Sequence, residues 1–311
     1  MWSLDNYYRI YKGLLSGRTK LPSLGQQCTS QLKTIEHYFD SPNRVSKLHE
    51  LCSADPDLCS LIINAANVDR YYGAEPSVTL EQALIRLSQS QLKELVIVFA
   101  IRNLVLTETL PANHCVRNLW EEALKISSIC LAINCRLGKQ KDFPIEQSLL
   151  AGISFHIGTI LLISSFRNKG LTVPTLAEID AVPAPMASNI SSLAAVQWRL
   201  PSSICECALQ RNHFQEVNHQ AFSLVDICHM AITHHRSHDK KIPNVVALKD
   251  SLPFIKAVKA KLINEEADHF TQMINGHALL IFRGLSPLIN KFPVSTAILS
   301  HPIPYPRFGK A

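Results

Sequence analysis

The stretch Leu92-Lys-Glu-Leu-Val-Ile-Val-Phe-Ala-Ile-Arg-Asn-Leu-Val-Leu106 is where two readings of the fold compete. Its Val and Ile residues would suit a buried strand. Its fifteen residues without Gly or Pro exceed the usual length of a strand, and the run is read as a helix buried on most sides. Working outward, Cys28, Leu32, Ile35 and Phe39 recur at steps of four, three and four, one stripe of a helix. Asp55-Pro56 is a compact helix start, with Asp55 as N-cap and Pro56 at the first helical position. Thr79 and Gln82 have the spacing of a capping box before Ala83, Leu84 and Leu87. Trp120, Ala123, Leu124, Ser127, Cys130, Leu131 and Asn134 form another helical stripe, which Gly138 closes as a C′ glycine. Pro144 and Pro201 each open a further helix, Pro174, Pro183 and Pro185 mark a connection, and the helical pattern resumes after Asn218. The reading is an all-α chain.

Composition narrows the function classes. With 311 residues, 47% hydrophobic and 18% charged, the chain can bury a core without outside help. The nine cysteines are odd in number and scattered, which suits reduced core thiols better than a disulfide scaffold. The N-terminus lacks the unbroken apolar stretch of a signal peptide. The most apolar segments, 95–106 and 149–164, fall short of the ~20 residues of a spanning helix. A cytoplasmic protein with no membrane insertion is expected. The net charge of +6 gathers late, at Lys139, Lys141, Arg236, Lys240, Lys241, Lys256, Lys259 and Lys261, without interleaved aromatics, so a solvated helix face is expected there and nucleic acid is not.

Six segments, in order, resemble the HDOD family, helical relatives of the HD-type metal phosphohydrolases. Leu21-Pro22-Ser23-Leu24 is similar to its LPxLP opening. Asp55-Pro56-x-Leu58, running to Asn67 and Tyr71-Tyr72-Gly73, resembles its "DPxL…aNS…yyg" block. Residues 79–95 resemble its third block, with Ser88 where glycine is usual. Leu119-Trp120 with Ala123 and Leu124 resembles "fWxhSlxxA". Gly152-Ile-Ser-Phe-His-Ile-Gly158 resembles "GLLHDIG", and Trp198-Arg-Leu-Pro201 resembles "WxLP". The resemblance implies a bundle of the HD-domain superfamily over about residues 1–220, with its motifs in 21–213. Residues 221–311 would form a helical C-terminal extension packed on it, with a disordered tail from about 300.

An HD phosphohydrolase needs imidazoles and a carboxylate converging on metal. The resemblance places those positions at Glu122, at Phe155-His156 in place of His-Asp, near Ala187, and at His213 after Arg211 and Asn212. Neither a catalytic metal nor any other cofactor is expected. A regulatory or signal-transduction module is, binding a signalling protein partner or a small ligand where HD enzymes hold metal. The alternative is a divergent metal-dependent phosphohydrolase built on Glu122, His156 and His213. From the residues alone, His156 reads as a core histidine, and Gly152 and Gly158 as close-packing positions. His234, His235 and His238 read as a solvated helix end rather than a metal site. Asp5, Glu50, Asp55 and Asp57 read as caps and surface groups. Trp2, Tyr7, Tyr8 and Tyr11 read as one face of a docking helix. No P-loop, GxGxxG or GxSxG motif is present.

Overall fold

A computed structural model describes residues 4–67, 75–109, 114–138, 142–170, 178, 183–211, 221–238, 247–285 and 288–289. Trp2, the Tyr71-Tyr72-Gly73 triplet, Pro174, His213, Lys139, Lys141, Lys240, Lys241 and the tail from 300 lie outside them.

The described residues are helical, with no strand among them. In chain order the helices are α1 (Leu4–Leu15), α2 (Gly25–Tyr38), α3 (Arg44–Ser53), α4 (Pro56–Ala66), α5 (Leu80–Arg86), α6 (Gln89–Thr109) and α7 (His114–Leu137). Then follow α8 (Ile145–Asn168), α9 (Ala184–Gln197), α10 (Ser202–Gln210), α11 (Leu224–His238), α12 (Leu252–Lys259) and α13 (Ala267–Gly284). The contested stretch forms most of α6, and residues 95–101 in its middle are all buried, which explains its unbroken apolarity.

The local start and stop signals act as the sequence suggests. The Asp55 carboxylate accepts from the Asp57 and Leu58 amides, 2.9 and 3.4 Å away. Thr79 and Gln82 make both halves of the capping box. Gly138 ends α7 at φ +64°, in the left-handed region that glycine enters without a Cβ penalty.

Helices α7 and α8 are the centre. They pack on each other, α6, α9 and α10 lie against α8, and α11 and α13 lie against α7. Their approach is close because Gly152 has no Cβ: one built there would lie 2.4 Å from the Ser127 Cα. Gly158 does the same for α9, where a Cβ would fall 1.9 Å from the Ala187 carbonyl oxygen. Both glycines are close-packing positions, as their spacing suggested.

In α8 the stretch Gln147–Phe166, twenty residues long, is long and apolar enough to cross a membrane, which corrects the shorter span read from the sequence. The helix gathers Gln147, Ser148, Ser165 and Phe166 into a span whose residues are buried or half-buried inside the protein. Contact with neighbouring helices is a sufficient reason for its apolarity.

Long-range hydrogen bonds lock sequence-distant pieces together. The Trp198 indole N–H donates to the Pro22 carbonyl at 3.0 Å, so the Trp198-Pro201 and Leu21-Leu24 segments meet. The Trp120 indole N–H donates to the Leu288 carbonyl at 3.0 Å, and the Asn64 side-chain amide donates to the Gly284 carbonyl at 2.7 Å. These two bonds fasten the end of α13 and the turn after it to α7 and α4.

Candidate functional site

Residues of five elements gather near Glu122 and Phe155: Tyr7 of α1, Glu122 of α7, Phe155 and His156 of α8, Arg211 at the end of α10, and His235 and Arg236 of α11. Glu122 stands between two imidazoles. Its Oε2 is 3.2 Å from His156 Nε2 and its Oε1 is 3.5 Å from His235 Nε2. The His156 nitrogen meets Glu122 Oε2 away from the ideal hydrogen-bond direction. Burial alone would raise the Glu122 carboxyl, but the imidazoles of His156 and His235 outweigh it and hold the group well below the usual carboxylate range. Burial pushes the His156 imidazole down, Glu122 opposes that, and Arg211 and His235 add to it. His156 is therefore a neutral ring beside an ionised carboxylate.

Phe155 is buried with its ring edge against His156. The Arg211 guanidinium carbon lies 5.0 Å from the ring centroid and that of Arg236 5.8 Å, both within cation–π range. Arg211 is 7% exposed. Its Nε and Nη1 have no hydrogen-bond partner, and neither does the buried Tyr7 hydroxyl. Burial lowers Arg211 to about 10, the nearby Arg236 adds to the drop, and Tyr7 opposes it.

Of the residues singled out from the sequence, the structure brings Glu122, Phe155 and His156 together, while His213 falls outside the described residues. Ala187 lies against Gly158. The expectation of a solvated helix end at His234 and His235 is corrected. His234 is buried, with Nε2 2.8 Å from the Asn275 Oδ1 on α13, and His235 joins Glu122. Asp57 likewise does more than cap: its Oδ2 pairs with the fully buried Arg102 at 3.0 Å. His235, Arg211 and Arg236 are the site residues that motif reading missed. His235 showed only in the histidine cluster, Arg236 only among the late basic residues and Arg211 only beside His213, and the packing of α10 and α11 is what brings them to Glu122 and Phe155. Among the late basic residues, Lys256 is bound to Asp226 at 2.7 Å. Among the described residues, no three His, Cys, Asp or Glu side chains are arranged to hold a metal ion.

The HDOD domain family matches residues 26–214, well over half of the chain. The chain belongs to the HDOD family. Its fold is similar to that of a protein from Shewanella amazonensis SB2B named as a candidate metal-dependent phosphohydrolase, at 15% identity and TM-score 0.72, covering 91% of this chain and 100% of that one. It is also similar to an HDOD domain protein of unknown function from Geobacter sulfurreducens, at 20% identity and TM-score 0.51, covering 93% and 96%. A third relative is a candidate signal transduction protein from Marinobacter aquaeolei VT8, at 15% identity and TM-score 0.53, covering 86% and 60%. At these identities the likeness is one of fold. No curated protein matches the sequence.

Proposed function

We propose that this HDOD chain is a non-catalytic regulatory module that binds a small ligand or a signalling partner on the face around Phe155. One observation carries the reading: where an HD enzyme would present a metal ligand, an apolar ring is flanked by two guanidinium groups. A catalytic divalent cation gathers several anionic or neutral donors and activates water between them. Here the donors would be one carboxylate and two imidazoles, one of them buried and of low basicity, with Arg211 and Arg236 opposing a further positive charge. The described residues do not fit a metal centre.

The alternative, a divergent metal-dependent phosphohydrolase, draws on the meeting of Glu122, His156 and His235, which share the residue types of some metal sites. Elemental analysis of untagged protein, paired with phosphodiester turnover across added manganese, iron and zinc, separates the two. Substoichiometric metal and no turnover are expected. Stoichiometric metal with turnover abolished by Glu122→Gln would overturn the non-catalytic reading.

A further inference from the structure

A guanidinium group carries five N–H donors and a charge that never leaves at neutral pH, so burying it without partners is costly. The usual remedies are a carboxylate or a row of backbone carbonyls. Among the described residues Arg211 finds neither: Nε and Nη1 are buried and unbonded although the residue follows directly on the end of α10. The Gln210 carbonyl beside it is already engaged by His229 Nε2 at 2.8 Å. A second cation, Arg236, lies against the same Phe155 ring and repels it. The one carboxylate of the cluster, Glu122, is flanked by His156 and His235. Near Arg211 there is also a buried donor without a hydrogen bond, the Tyr7 hydroxyl on α1.

We infer that Arg211, with Arg236 and Tyr7, forms a binding site for a phosphoryl group carried by a small molecule. A planar carboxylate is satisfied by one guanidinium fork. The donors come from three elements, α1, the end of α10 and α11, and so from more than one direction, which suits a tetrahedral group with three or four acceptor oxygens. Among the described residues of the cluster, two arginines stand against one carboxylate, a balance that suits an anion. The inference rests on the non-catalytic reading above and names the ligand class for that face.

The test uses the full chain and inorganic phosphate as probe, with acetate and chloride at matched ionic strength. Wild-type protein should show a saturable rise in melting temperature with phosphate and none with acetate or chloride. Arg211→Met should weaken phosphate binding about 10- to 100-fold, the range for losing charge-assisted hydrogen bonds, while melting no lower than wild type in phosphate-free buffer because an unpaired buried charge is gone. Line broadening of the phosphorus NMR signal by wild-type protein, relieved in Arg236→Gln, gives a second readout if Arg211→Met fails to fold. A phosphate response that both variants retain, or one matched by acetate, overturns the site, since excluded salts stabilise proteins without binding. So does the absence of any saturable response. Metal-dependent turnover would instead sink the non-catalytic reading, whatever phosphate does.

Discussion

Replacing Gly158 by alanine tests whether the α8–α9 contact sets the fold's geometry, and Gly276→Ala supplies the control. Both glycines lie inside helices, where alanine is intrinsically better by about 0.8–1 kcal/mol. At Gly276 a new Cβ meets nothing within 4 Å, so the full propensity gain should appear as stabilisation. At Gly158 the new Cβ would lie 1.9 Å from the Ala187 carbonyl oxygen and 2.8 Å from the Ser191 amide nitrogen. Cβ contacts under 3.0 Å are essentially never seen, so α9 must retreat by roughly 1 Å. The retreat would also stretch the 2.7 Å hydrogen bond from the Gly158 amide to the Ser191 hydroxyl. Overpacking of this kind costs about 3 kcal/mol or more when backbone rather than a flexible side chain is in the way. After the propensity gain, a net loss of about 2 kcal/mol or more is expected. Urea unfolding followed by helical circular dichroism and by fluorescence of the buried Trp120 and Trp198 reads both variants. Opposite signs support the packing argument. A Gly158→Ala protein as stable as wild type, or both variants shifting in the same direction, would refute it.

Stability should also fall with acid in two stages. His156 has a folded value below its ordinary 6.5, so as pH drops past 6.5 the unfolded chain takes up a proton that the folded chain does not, and stability is lost. Glu122, held below 4.5, adds a loss that begins near that value and continues as pH falls towards its folded value. In urea titrations across pH, His156→Gln should flatten the first stage down to the part that His277, also lowered by burial, contributes. An unchanged first stage would show that His156 is not buried and neutral. Asp57→Ala leaves Arg102 without its 3.0 Å ion-pair partner and should cost about 3 kcal/mol in the same unfolding assay; a loss under about 1 kcal/mol would show that other groups neutralise Arg102. Asp55→Ala should cost about 1 kcal/mol, whereas Asn43→Ala, at an N-cap that makes no side-chain bond, should change stability by only a few tenths. Equal effects would mean that the Asp55 cap contributes nothing of its own.

The fold was legible because its signals are local. A cap lies within three residues of the amides it serves, and an apolar run longer than a strand betrays a buried helix without any knowledge of its neighbours. Gly152 and Gly158 were legible as close-packing positions for the same reason, although the partners they meet, Ser127 and Ala187, were not. The length of the apolar stretch in α8 was misread because its ends carry Gln147, Ser148 and Ser165, polar residues that packing nevertheless buries or half-buries.

The site was only half legible, and the missing half has a physical cause. Glu122, Phe155 and His156 sit in motif-bearing segments, so comparison with a pattern shows what they lack. Arg211, His235 and Arg236 come 56 to 81 residues after Phe155, and nothing in their local spacing says that they return to it. A degenerate motif can report the loss of a metal ligand, but not what the vacated chemistry became. That depends on which charges the later helices deliver to the same place. In this chain they deliver two cations to a ring that cannot ligate, and among the described residues they leave Arg211 Nε and Nη1 buried and unbonded. On the reading proposed above, the two arginines turn the place where an HD enzyme would hold a cation towards an anion.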